Sequence, residues 1–262
     1  MVTSFEDLIK RRVKIGYFTN FLNEREGLEN HESEMGKIPF DARIYCDGKY
    51  PGFPLKDIKS TDGSLDVIKK MKNVHLIQPN KEISEMDKNN LCFQKAAELN
   101  LDFVIQCDAD EWIEFSREDF IESFSEEWEG ENINTFQFLV RFTNHYSSPP
   151  RIVNKLPRLF FKPQVLSCRN IHWWFYALDT RITVDPILTI EGIHMHHDDR
   201  VRSQARNELM NKYQDINIQR EKEIQKSLAG ATGTIILDHV CDYDPKFHNS
   251  MKCTICQGER FK

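Results

Sequence analysis

Leu101 to Cys107 reads Leu-Asp-Phe-Val-Ile-Gln-Cys, apolar at successive positions rather than at every third or second one. An amphipathic helix spaces its apolar residues three and four apart, and a half-exposed strand alternates them. A short run that does neither is read as a strand buried on both faces, which calls for a parallel sheet covered by helices. The preceding sequence supplies the rest of such a sheet. Val13 to Phe18, Phe40 to Cys46 and Val74 to Gln78 read as strands one to three. Between them lie a charged helix from Asn23 to Met35, a helix from Ser64 to Lys72 with Leu65, Ile68 and Met71 on one face, and a helix from Ser84 to Leu99. Strands alternating with helices predict an α/β fold.

The second half is less regular. Ser116 to Asp119 reads as a capping box opening a helix to Trp128. Ile133 to Phe142, Leu156 to Lys162 and Ile187 to His196 have strand character. Asp198 to Leu228 reads as one long charged helix with Val201, Ala205, Leu209, Tyr213 and Ile216 facing inward, and with Arg200, Arg202 and Arg206 on a solvated face. Gly230 and Gly233 mark a change of composition, so residues 1–228 are expected to form the main domain and 229–262 a small tail.

Composition narrows the class. With 40% hydrophobic residues and 18 Phe among 262, the chain can build a substantial core, and disorder is excluded as its main character. A net charge of −6 argues against a nucleic-acid backbone as partner. No apolar run reaches the ~18 residues of a membrane span. Glu6, Asp7, Lys10, Arg11 and Arg12 stand where a signal peptide needs its apolar stretch, so the expected location is cytoplasmic, any membrane contact being peripheral. Seven cysteines, an odd number, fit free thiols or a metal site better than a disulfide framework. Cys46, Cys92, Cys107 and Cys168 lie in apolar context and read as small core residues.

The buried strand runs straight into Asp108-Ala109-Asp110-Glu111. In an open α/β sheet, ligands bind outside the carboxyl ends of the strands, so these acids stand where a substrate should be. Three acids so close together repel one another unless a cation neutralises them. Oxygen-only ligands suit Mg²⁺ or Mn²⁺, and Mg²⁺ typically bridges carboxylates to substrate phosphates.

Further strings stand around this turn in a fixed order. They are Asn23-Glu24 after strand one, Asp47-Gly48 closing strand two, Asp66, Lys88-Asn89, Arg158-Leu159-Phe160, Ile171-His172, and a late strand with His194 and His196 leading into a basic helix. The ordered set resembles the family 2-type glycosyltransferases of the glycosyltransferase-A (GT-A) fold over the first ~200 residues. The resemblance implies a Rossmann-type, mostly parallel sheet with flanking helices. It further implies a nucleotide-binding half (1–112), an acceptor half (113–228), and transfer of a sugar from a nucleotide-sugar donor, UDP-sugars being favoured, with inversion. Asn23, Glu24, Asp47, Lys88 and Asp108 would then contact the donor. Asp108 and Asp110 would hold Mn²⁺ or Mg²⁺, with His194 or His196 completing the shell and His197 the least favoured. The usual Ser/Thr-Asp pair after strand two is replaced by Asp47 to Pro54, and a Ser-Thr-Asp string comes late, at Ser60 to Asp62.

The acceptor is a glycan, a lipid-linked intermediate or a protein. His172, Trp173 and Trp174 could wall a sugar site, since sugar C–H faces stack on aromatic rings, or form a buried cluster. An inverting reaction needs a carboxylate to take the acceptor's proton; Glu111 and Glu191 are candidates, with Asp179 an outsider. In the tail, Cys241, His248, Cys253 and Cys256 could make a tetrahedral structural Zn²⁺ site or remain a histidine and free thiols. Two other readings stay open, a nucleotidyltransferase and a catalytically silent carbohydrate- or partner-binding protein. Against the first, Thr19 to Glu24 lacks the glycines and base of a triphosphate loop.

Overall fold

All four strands expected in the first half are present in the computed structural model. It describes residues 12–129, 137–145, 151–168, 175–177, 180–181, 189–202, 204–209, 211–213 and 216. The strands β1 (Ile15–Phe21), β2 (Ala42–Asp47), β3 (Val74–Ile77) and β4 (Phe103–Gln106) alternate with helices α1 (Arg25–Met35), α2 (Ser64–Ile68) and α3 (Glu85–Glu98). They are followed by β5 (Glu111–Phe115), α4 (Arg117–Glu129), β6 (Gln137–Asn144) and β7 (Arg151–Phe161). The short strands β8 (Leu166–Cys168), β9 (Phe175–Ala177) and β10 (Thr180–Arg181) lead to β11 (Thr189–His197).

Eight strands form one sheet in the order β3-β2-β1-β4-β7-β6-β11-β5, and β10-β9-β8 form a second. The first four are parallel, with β1 between β2 and β4. β7 joins β4 antiparallel, β6 joins β7 antiparallel, and β11 lies parallel to β6 and antiparallel to β5. This is the α/β arrangement expected, a parallel Rossmann-type half continued by a mixed half.

Strand alternation divides the core in two. Tyr17, Tyr45, Phe103 and Ile105 join one apolar layer with Leu28 and Met35 of α1 and Phe120 and Phe124 of α4. Phe18, Ile44, Cys46 and Val104 point the other way, onto Cys92, Phe93 and Ala96 of α3. The cysteines at 46, 92, 107 and 168 are buried free thiols, as expected.

Two features depart from the sequence reading. β5 follows the acidic turn so closely that no separate strand is visible in the sequence. The long helix expected from Asp198 begins instead with a single 3₁₀ turn at Asp199–Val201, and residues 204–209 and 211–213 are helical. Its buried residue is Arg206, while Ala205, expected inside, is exposed. The chain divides into two compact units, Met1–Gln214 and Asp215–Lys262. The expected boundary at 228–229 and the tail lie outside the described residues. Among the described residues, no helix is long and apolar enough to cross a membrane.

Candidate functional site

In the order β3-β2-β1-β4 the winding of the sheet reverses between β1 and β4, the switch point at which sheets of this kind form a ligand crevice beyond the strands' carboxyl ends. Asn23-Glu24 follow β1, Asp47 ends β2, and the Asp108 to Glu111 turn follows β4. Gly27 of α1 lets that helix pack directly on the turn. A Cβ there would sit 2.8 Å from the Ala109 carbonyl oxygen, closer than real Cβ atoms come.

The acids are held by guanidinium groups. Arg158 Nη2, from β7, lies 3.1 Å from Asp108 Oδ2 and 3.1 Å from Glu111 Oε1. Glu111 Oε2 accepts the Asp108 backbone N–H at 2.7 Å, which folds the turn back on itself. Arg202 Nη1 reaches Asp110 Oδ2 at 2.8 Å while its Nε lies 3.3 Å from Glu24 Oε2. Arg206 Nε donates to Glu24 Oε1 at 2.7 Å. His197 Nε2 meets Asp110 Oδ2 at 3.0 Å. Asp108 is the open member, its side chain 37% exposed against 2% for Asp110.

Electrostatics follow from this arrangement. Burial alone would raise the Asp110 carboxyl, but the His197 hydrogen bond and Arg202 outweigh it and hold Asp110 below the usual carboxylate range. Burial likewise opposes the charged form of His197, yet the bond to Asp110 raises it overall. Glu111 is raised by burial, with Arg158 pulling it back and Asp108 pushing it further up. Glu85, at the start of α3, is pushed up to about 7 by burial and by Asp108, against the pull of Arg158 and Lys88.

Asp47, Asn23 and Lys88 are present but differently engaged from the reading. Asp47 is fully buried and accepts hydrogen bonds from Ser60 N–H (3.0 Å), Ser60 Oγ (2.7 Å) and Gln78 Nε2 (2.9 Å), so it organises the loop rather than facing the crevice. The late Ser-Thr-Asp string returns to the site in space. Thr61 N–H donates to Asn23 Oδ1 at 2.8 Å, and Asp62 Oδ2 caps the Arg25 N–H at 3.0 Å. Asp66, by contrast, sits exposed in an ion pair with Lys69. Lys88 is buried, donates to the Gly48 carbonyl, and lies 3.8 Å over the Tyr50 ring; burial pushes it down to about 8. The Asp47 to Pro54 segment also brings Phe53 to 5.1 Å from Tyr213 and under Arg206.

The histidine assignment needs correcting. Ile193 and Met195 of β11 are buried in the core, so by strand parity His197 shares their face and meets Asp110. His194 and His196 stand on the other face, beside Glu114, away from the turn. Glu191 is corrected too. It sits at the far end of β11, roughly 20 Å along the strand from His197, in a surface ion pair with Arg141. His172, Trp173, Trp174, Asp179, Cys241, His248, Cys253 and Cys256 lie outside the described residues.

Sequence reasoning missed the arginines. Arg158 stood in a quoted string without a role. Arg202, in the bend after the 3₁₀ turn, and Arg206, in the following helix, both reach the acids, and their spacing of four was the available signal. A cavity of about 480 Å³ lined by Lys37, Pro39, Asp41 and Lys72 opens at the opposite, amino-terminal ends of β2 and β3, away from this constellation.

No family model matches the sequence, and no curated protein matches it. Solved structures do match part of it. One is TarS residues 1–349 of S. aureus, with 16% identity and a TM-score of 0.39 over 54% of this chain and 38% of that one. Another is the mannosyltransferase PcManGT of Pyrobaculum calidifontis in complex with GDP-Man and Mn²⁺, with 13% identity and a TM-score of 0.35 over 50% of this chain and 35% of that one. A third is glucosyl-3-phosphoglycerate synthase of Mycobacterium tuberculosis with Mn²⁺, UDP and glucosyl-3-phosphoglycerate, with 17% identity and a TM-score of 0.31 over 55% of this chain and 49% of that one. The match thus spans less than half the length of each of these structures.

Proposed function

We propose that the chain is a glycosyltransferase that binds a nucleotide-sugar donor with a divalent cation at the Asp108 to Glu111 turn and transfers the sugar to an acceptor hydroxyl with inversion. The observation that carries this reading is the half-open Asp108 carboxylate at the end of β4, with Arg158 behind it and the buried Asp110–His197–Arg202 cluster beside it. The Asp108 and Asp110 carboxylates and the His197 imidazole make a mainly oxygen donor set that suits Mn²⁺ or Mg²⁺. Asp110 Oδ2 is shared between His197 and Arg202, so Arg202 yields its place there or the ion takes the other oxygen. The ion would neutralise charge developing on the departing diphosphate.

The protein's own groups support the rest. Arg158 and Arg202 hold the acids in one orientation and keep compensating positive charge at the crevice. Lys88, Tyr50 and Gly48 shape its β2 side. Glu85 and Glu111 are carboxyls whose proton affinity burial raises, as suits a group that takes up a proton near neutral pH, and Glu85 is the more accessible of the two. The test is turnover of a panel of sugar nucleotides with and without Mn²⁺, using water or simple glycosides as acceptors. Release of a nucleoside diphosphate that requires the metal is the expected result. Cleavage of nucleoside triphosphates alone would replace this reading with nucleotidyl transfer.

A further inference from the structure

On the outer face of the β5–β11 pair, Glu114 lies directly across from His194, and His196 is two residues further along. Strand parity sends all three away from the core that Ile113, Ile193 and Met195 occupy. Glu114 Oε2 is 3.9 Å from His194 Nδ1, and Glu114 Oε1 is 3.4 Å from His196 Nε2. One ligand atom from each residue falls within 4.8 Å of the others.

Both imidazoles are held from behind. His194 Nε2 is 2.7 Å from Thr143 Oγ1, and His196 Nδ1 is 3.0 Å from His145 Nε2. Trp112 stacks on the rings of His145 and His196 at 5.2 Å each, fixing the pair further. Each histidine therefore has one nitrogen fixed by a neighbour and the other turned to the same carboxylate. An outer partner on the second nitrogen is the usual way a ligating histidine is oriented. The outer nitrogen of His196 is buried, and its partner Glu114 Oε1, 3.4 Å away, does not meet it with good hydrogen-bond geometry. A buried polar atom so loosely partnered is left unfavourable, and a cation held between His196 and Glu114 would satisfy both.

We propose that Glu114, His194 and His196 form a binding site for a late first-row divalent cation, Zn²⁺ first, on the opposite face of the β5–β11 pair from the Asp108–Asp110 turn. Two imidazole nitrogens and one carboxylate oxygen suit Zn²⁺ rather than Mg²⁺. Ligand atoms around a tetrahedral Zn²⁺ with bonds of 2.0–2.1 Å stand about 3.3 Å apart, so small side-chain rotations close the set. The Glu114 side chain is 70% exposed, which leaves an entry path and a fourth position for water. The bound ion would pin β5 to β11, the strands that carry Glu111 and His197.

The experiment measures Zn²⁺ binding to the full chain after chelation, by calorimetry and by metal analysis. A Cys253→Ser/Cys256→Ser background removes two tail thiols from the count. Zn²⁺ should bind with one-to-one stoichiometry. Glu114→Gln, an exposed and fold-neutral change, and His196→Ala should each abolish that stoichiometric binding, while His145→Ala weakens it roughly 10- to 100-fold. Asp110→Asn should leave it intact. Co²⁺ in place of Zn²⁺ should show d–d bands without thiolate charge transfer. Zn²⁺ binding that survives Glu114→Gln and His196→Ala, or that disappears with Asp110→Asn, would overturn the assignment, as would no binding to the parent protein.

Discussion

Replacing Arg158 with Met should show how the acidic turn is kept folded. Arg158 and Glu111 side chains are 6% and 3% exposed, so removing the guanidinium leaves a buried carboxylate without its charge partner. Breaking such a pair costs about 3–5 kcal/mol. The half-open Asp108 adds little, because solvent screens it. At roughly 2–4 °C per kcal/mol for a chain near this size, the Tm should fall by about 6–20 °C. The loss should also depend on pH. Burial already raises the folded-state Glu111 carboxyl above its unfolded value, so the folded protein keeps a proton that the unfolded chain releases. Stability from this group therefore falls as pH rises from about 4 toward its raised value. Arg158 opposes that rise, and without it Glu111 stays protonated to higher pH. The variant should lose little near pH 5 and the full amount near pH 8, and Arg158→Met/Glu111→Gln should recover most of it. Thermal melts across pH read all three. A pH-independent loss, or a double variant no more stable than the single one, would refute the reasoning.

Other outcomes follow from the same geometry. Lys88 has a folded-state pKa pushed down to about 8, so the unfolded chain binds more protons above that value and stability should rise by up to roughly 3 kcal/mol between pH 8 and 10.5, a rise that Lys88→Met removes in urea titrations. His197 is raised and Asp110 lowered, so their bond contributes fully only between their unfolded values, from about pH 4 to 6.5, and fades as pH rises through the raised His197 value. Measured above the raised His197 value, where the imidazole is neutral and able to ligate, His197→Ala should weaken Mn²⁺ binding at the turn, whereas His194→Ala should not. Gly27→Ala places a methyl 2.8 Å from the Ala109 oxygen, so it should cost about 1–3 kcal/mol in melts and slow turnover by displacing the turn.

The first half was legible because β1, β2 and β4 are buried on both faces and its helices carry their own period. Phe103, Val104 and Ile105 mark a buried strand whatever lies around them. The acidic turn was legible for the same reason, since only a fixed place at a strand end gathers acids beside such a run. The second half was not, because there the sheet alternates direction and each face must be inferred from parity. Ile193 and Met195 carried that parity and would have turned His194 and His196 away from the turn. Gly192, with φ of 77°, marks the break in β11 that resets it. The reading that a metal must neutralise the acids overlooked Arg158, Arg202 and Arg206, which lie 47 to 182 residues from the carboxylates they meet; the spacing of Arg202 and Arg206 marks a shared face but not which acids it faces.

Calorimetric titration of nucleoside diphosphates with and without Mn²⁺, on the parent chain and on Asp110→Asn, tests the central claim most directly. The account predicts binding of at least one diphosphate that requires Mn²⁺ and is lost in Asp110→Asn while its melting transition stays cooperative. Equal binding by parent and variant, or binding indifferent to the metal, would contradict it.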